Sequence, residues 1–398
     1  MELKSFWVGG FEASCHQLRC GRRLDLIAAT RHDRFAGEDY RRLRAHGINT
    51  VRDGVSWPAA ARGGSLDLAA LRSRARAARD CGVQVIWDLC HYGWPEEIDI
   101  WKPEFIREIA AYCRAFALLL RAETDEIPFY TPINEISFWA WAGAEAAEMN
   151  PFACWRAPEL KRQLIRASLA AIEAIRSVDP RARILHSEPL IHVAAETGSP
   201  EERAAAEGFH RAQFQALDAI AGRLWPELGG DYGCLDLVGV NFYPGNQWLW
   251  GGPKLLRGEP SYRPLRQLLV EVHERYRRPL VLSETGAEGD ERPGWLAYVA
   301  DEVRSAIHQK VPVEGICLYP VVDYPAWDDE RRCPTGLWGY ADETGRREIY
   351  EPLARELARQ QALCASSGSF RNARIYPAAP PDILPISPTP TEVFLASI

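Results

Sequence analysis

The reading of the fold turns on two runs, Ile48-Asn49-Thr50-Val51-Arg52-Asp53-Gly54-Val55 and Val83-Gln84-Val85-Ile86-Trp87-Asp88-Leu89-Cys90. Both are short, apolar and rich in β-branched residues, as a buried strand requires. Between them, Ser65 is placed to cap a helix running through Asp80. Gly82 is placed to end it, because glycine enters the left-handed conformation at a helix C-terminus without strain. Strand, helix, strand at this spacing is a βαβ unit, and only such a crossover lets neighbouring strands run parallel.

The same alternation extends in both directions. Further candidate strands are Phe6–Ala13, Ile127–Asn134, Ala182–Glu188, Leu235–Phe242, Leu280–Glu284 and Val313–Tyr319. After the third strand, Phe105, Ile106, Ile109, Cys113, Phe116 and Leu120 fall on one helical face. Pro158, Pro200, Pro264 and Pro293 stand where later helices begin, and the last helix is expected over Glu348–Leu363. Eight such units predict an α/β protein, a (β/α)8 TIM barrel in a single domain over residues 1–364, with an open doubly wound sheet as the alternative from pattern alone. Gly9–Gly10 lies inside the first strand, so no phosphate-binding loop follows it. Residues 365–398 turn Ser- and Pro-rich and are expected to form an extension outside the barrel.

Of the 398 residues, 47% are apolar and 25% charged, enough for a packed core. The net charge of −7 gives no basic stripe and argues against a nucleic-acid partner. No apolar run is long enough to span a membrane, and no secretory leader is visible near Met1. The ten cysteines show neither CxxC pairs nor metal-ligand spacing. We expect buried thiols, a cytoplasmic protein, and no metal or cofactor. The 14 tryptophans suit both a core and sugar-stacking walls, with Trp94, Trp139, Trp248 and Trp327 as candidates.

Barrel sites form at the C-terminal ends of the strands. There the fourth strand ends Thr131-Pro132-Ile133-Asn134-Glu135 and the seventh Leu282-Ser283-Glu284-Thr285-Gly286. Two opposed carboxylates are what glycosidic cleavage needs, one to protonate the leaving oxygen and one to attack the anomeric carbon or activate water. Glu188, ending the fifth strand, is expected to support them. No strained-elbow serine and no HExxH pattern offers another chemistry.

With these motifs, the chain resembles the family 1 β-glycosidases, the β-glucosidase-like barrels with glutamates on strands four and seven. The segments Gly10–Gln17, Val51–Pro58, Leu89–Pro95, Thr131–Glu135, Gly239–Tyr243, Leu282–Gly286 and Tyr319–Trp327 follow the family's motifs in order. The resemblance implies a retaining glycosidase acting on a carbohydrate, with Glu135 as acid/base and Glu284 as nucleophile. It implies that Arg52 and Tyr243 hold Glu284 ionised, that Asn134 grips the 2-hydroxyl, and that Gln17 and His91 bind other hydroxyls. Tyr319 and Trp327 stand in the eighth-strand aromatic segment. A transglycosylase sharing the same intermediate and a non-catalytic sugar-binding barrel are the alternatives.

The chain departs from the family pattern in places. Ala326 replaces the glutamate before Trp327, Tyr319 replaces a tryptophan, Arg19 stands where an acidic residue follows the glutamine, and Ile136 replaces proline. Without the carboxylate at position 326, a strong preference for glucose is not expected. Asp323, Asp328 and Asp329 are candidate substitutes.

Overall fold

The computed structural model describes residues 3–62 and 65–366. Eight parallel strands close into a barrel: Trp7–Gly10 (β1), Thr50–Gly54 (β2), Gln84–Asp88 (β3), Phe129–Thr131 (β4), Arg183–Pro189 (β5), Leu237–Asn241 (β6), Leu280–Thr285 (β7) and Val313–Leu318 (β8). They pair in chain order, and β8 pairs with β1 through Trp7 and Ile316, closing the sheet. The predicted (β/α)8 barrel is therefore the architecture.

Side chains alternate across each strand, so adjacent residues serve different layers. On β2, Arg52 points into the barrel, where it reaches Glu284 of β7. Its neighbour Asp53 points outward and binds His32, Tyr40 and Arg74 between barrel and helices. Ile86, Phe129, Leu185, Leu237 and Val281 fill the barrel interior as one apolar layer. The polar mouth thus rests on an apolar floor.

The outer helices follow the sequence reading with local shifts. Helix Pro103–Glu123 buries Phe105, Ile109, Cys113, Phe116 and Leu120 along its inner face. Gly82 ends helix Ala69–Cys81 at φ 68°, as expected. That helix does not start at Ser65, however. Ser65–Leu66 pairs antiparallel with Ala61–Arg62, and the Asp67 carboxylate accepts from the Ala69 N–H at 2.9 Å at the true start. Local pairing takes the backbone that a cap would have used.

Strand β4 is shorter than the expected Ile127–Asn134. Ile127 is exposed, and beyond Thr131 the backbone turns to its neighbours: Asn134 N–H donates to Cys90 and Glu135 N–H to Ser187. The last helix runs Glu351–Ser366, so the boundary expected at residue 364 falls inside it. The rest of the expected tail, 367–398, lies outside the described residues. Six of the ten cysteines are buried and all are free thiols. Among the described residues, no helix is long and apolar enough to cross a membrane.

Candidate active site

At the C-terminal ends of the strands lies a cavity of about 1280 Å³. Its inner end is lined by Glu12, His91, Glu135, Tyr243, Glu284 and Tyr319, with Trp327 on the rim. Farther out, Trp141, Trp155, Trp225, Trp248 and Trp250 make an aromatic vestibule. Trp94 and Trp139, expected as possible walls, are core residues instead. Their indole N–H groups donate to the carbonyls of Ile98 and Asn150.

Glu284 sits near the end of β7 in a charged setting. Its Oε1 accepts from the Arg52 guanidinium and its Oε2 from the Tyr243 hydroxyl at 2.8 Å. Arg52 is 1% exposed and also donates to Asp88 at 2.7 Å and to Asn134 Oδ1 at 2.5 Å. Burial alone would favour a neutral guanidinium, but the Asp88 and Glu284 carboxylates outweigh it and hold the charge more firmly than usual. Burial likewise opposes ionisation of Asp88, and Arg52 and His91 reverse that. Arg52 and Asp88 hold each other in place, and removing either would leave an uncompensated buried charge.

Glu135 is set differently. It caps helix Ile136–Ala144 with φ 44°, in the left-handed region that a residue with a Cβ seldom occupies. Strain of this kind, about 1–3 kcal/mol, persists where surroundings impose it and clusters at functional sites. Both neighbours of its carboxylate are neutral donors: Tyr92 hydroxyl to Oε2 at 2.6 Å and Asn241 Nδ2 to Oε1 at 2.8 Å. Tyr92 is itself left-handed, with φ 67°. Burial, followed by the nearby Glu284 charge, pushes the Glu135 carboxyl up to about 8. It therefore stays protonated through neutral pH and can give a proton away.

His91 joins the two halves. Its Nδ1 faces Asp88 at 2.9 Å and its Nε2 faces Asn134 Nδ2 at 3.1 Å. Burial pulls its pKa down, but Asp88 and the other carboxylates prevail and raise it. Tyr319 Oη and Trp327 Nε1 are buried with no partner within the described protein. Such groups call for a partner from outside. Gly10 makes room for Tyr319, because a Cβ there would lie 2.2 Å from the tyrosine ring.

The expected residues thus fall into three groups. Glu135, Glu284, His91, Tyr243, Tyr319 and Trp327 share the cavity. Arg52 and Asn134 lie directly beneath it, with the Asn134 amide engaged by Arg52, His91 and Tyr92. Gln17 stands apart. After β1 the chain folds back, Ser14 binding Glu12 and Cys15 N–H binding the His91 carbonyl, which carries Gln17 past the cavity. Its Nε2 instead donates to Gly21 at 3.3 Å. Glu188 accepts from Ser137 N–H at 3.1 Å, beneath the start of the helix after Glu135. Burial raises it to about 7.

Four residues escaped the sequence reading: Glu12, Asp88, Tyr92 and Asn241. Tyr92 and Asn241 stand inside motifs that were quoted for their neighbours. Asp88 was legible from alternation, since it pairs in register with Gly54, two residues beyond Arg52 and on the same face.

No family model matches the chain, and no curated protein matches its sequence. Solved structures do. The AHE enzyme from Alicyclobacillus herbarius superposes with a TM-score of 0.75 at 19% identity, over 91% of this chain and 100% of that one. The family 1 β-glucosidase from Thermotoga maritima gives 0.73 at 16%, over 91% and 98%. The same organism's β-glucosidase in complex with deoxynojirimycin gives 0.74 at 16%, over 90% and 98%. At these identities the likeness establishes a shared barrel fold.

Proposed function

We propose that this chain is a retaining β-glycosidase, a divergent relative of the family 1 enzymes. One observation carries the reading: two glutamates face one cavity in opposite electrostatic settings. Glu284 is paired with a guanidinium and a phenol. Glu135 is buried among neutral donors and raised to about 8. Such a split assigns nucleophile and acid to otherwise identical side chains.

In the first step Glu284 attacks the anomeric carbon while Glu135 passes its proton to the leaving oxygen. The glycosidic C–O bond breaks and an ester to Glu284 forms. Glu135, now ionised, takes a proton from water. That water attacks the same carbon, releasing the sugar with its original configuration and restoring both carboxyls. Tyr243 and Arg52 keep Glu284 oriented throughout. The likeness to β-glucosidases supports a carbohydrate substrate, and the aromatic vestibule suits its leaving group. The ten free thiols suit a reducing, cytoplasmic setting.

Proton NMR of a nitrophenyl β-glycoside digest tests this. Release of the β-anomer first, followed by slow mutarotation, is expected. The α-anomer appearing first would refute retention.

A further inference from the structure

Glu12 is a third carboxylate at the inner end of the cavity, beside Glu135 and Glu284, and neither catalytic step uses it. It follows β1, is 7% exposed, and lines the same inner end as Glu135 and Glu284. Its two oxygens are unequally engaged. Oε1 accepts from Ser14 N–H at 3.0 Å and Ser14 Oγ at 2.5 Å, and lies 3.7 Å from His91 Nε2. Among the described residues, Oε2 has no hydrogen-bond donor. That oxygen is on a side chain that lines the cavity, so it is free to accept a hydrogen bond from a donor that enters there. Close by, the ring of Tyr319 stacks parallel to that of His91 at 6.3 Å, and the Tyr319 hydroxyl is also unpartnered.

The loop after β8 offers no substitute. Asp323 Oδ1 accepts from Gly336 N–H at 2.8 Å within its own loop, and Asp328 and Asp329 are exposed. None of the three lines the cavity.

We propose that Glu12 selects the sugar in the reacting subsite, with Oε2 accepting a hydrogen bond from a ring hydroxyl while Ser14 anchors Oε1. This rests on the glycosidase reading and adds a substrate class to it. The sugar must carry a free hydroxyl at the edge facing Glu12. A carboxylate or phosphate there would be a buried anion next to Glu12 and near Glu284, with Arg52 already engaged. Uronides and sugar phosphates are therefore excluded, and neutral sugars with that hydroxyl are accepted. Burial raises the Glu12 carboxyl and His91 opposes that; as a carboxylate it discriminates sharply, because deleting the donor leaves the charge unsatisfied.

The test is calorimetric binding of deoxynojirimycin and its mono-deoxy analogues to wild type and Glu12→Gln, which needs no turnover. For wild type, one analogue should bind about 10–100-fold more weakly than the parent, the range for a hydrogen bond to a charged group. In Glu12→Gln the parent should weaken by a similar factor, and that one deletion should then matter less than about 3-fold. Should Glu12→Gln fail to fold, Ser14→Ala loosens the same carboxylate and should blunt discrimination at the same hydroxyl. An equal loss across all analogues, or unchanged selectivity, overturns the proposal. If that happens in an enzyme that still cleaves glycosides, the catalytic assignment stands. Wild type binding none of the compounds would overturn both.

Discussion

The two sides of the cavity hold the same side chain and treat it in opposite ways. On the β7 side, Glu284 meets a buried arginine that is locked by Asp88 and Asn134, plus a tyrosine from the loop after β6. On the β4 side, Glu135 meets a phenol and an amide, carries backbone strain, and is desolvated. The chemistry of a carboxyl here is set by its partners. Glu284 has a guanidinium for a partner, whereas burial, followed by the Glu284 charge, raises Glu135 against its two neutral donors and leaves it protonated at pH 7.

The largest effect should come from the charged side. Glu284→Ala should lower kcat by several orders of magnitude, because the covalent route is lost. Added azide should restore part of the activity and yield an inverted glycosyl azide. Near-native turnover would erase the contrast between the two sides.

The neutral side should respond less and in a diagnostic way. Glu135→Ala should reduce turnover of a poor leaving group by about 10²–10⁴-fold, the usual worth of general acid catalysis, and that of an activated phenol much less. The wild-type rate should fall as pH rises through about 8, where Glu135 loses its proton. In Glu135→Ala that alkaline limb should vanish. A limb that persists would place the acid elsewhere.

Tyr243→Phe removes one hydrogen bond to a carboxylate and should cost about 10–100-fold in kcat/KM. The fold should be unaffected, which a thermal melt would check.

The smallest effect concerns stability. The folded state raises Glu135 from 4.5 to about 8, so it binds the proton more tightly than the unfolded chain does. That contribution is complete below about pH 4.5 and is lost as pH climbs through 8. Glu135→Gln should therefore raise Tm at pH 9 by a few degrees and change it little at pH 4. An equal shift at both would deny that burial sets this carboxyl.

The same two regions also show where sequence reading stops. The β7 side was legible in part: alternation turns Arg52 of β2 inward, whereas Glu284 reaches the mouth through a register shift after Leu282 that its motif, not alternation, marks. The β4 side was legible in identity but not in geometry. Apolar residues continue through Ile133, yet the backbone leaves the sheet after Thr131, and the left-handed turn at Glu135 has no marker such as glycine. The segment after β1 misled in another way. Its motif implied a sugar-binding role for Gln17, but after a hydrogen-bonded fold-back at Ser14 it is Glu12 that lines the cavity. Local turns of this kind depend on contacts with a distant strand, here His91, which one-dimensional pattern does not reveal.

The central claim, that Glu284 becomes covalently bound to the sugar while Glu135 does not, can be tested in one experiment. The wild-type protein would be incubated with a 2-deoxy-2-fluoro β-glycoside bearing an activated leaving group, which forms the intermediate faster than it breaks down. Intact mass spectrometry should show one added 2-fluoroglycosyl group, and peptide mapping should place it on Glu284. A label on Glu135 or Glu12, or turnover to the inverted sugar with no adduct, would contradict the account.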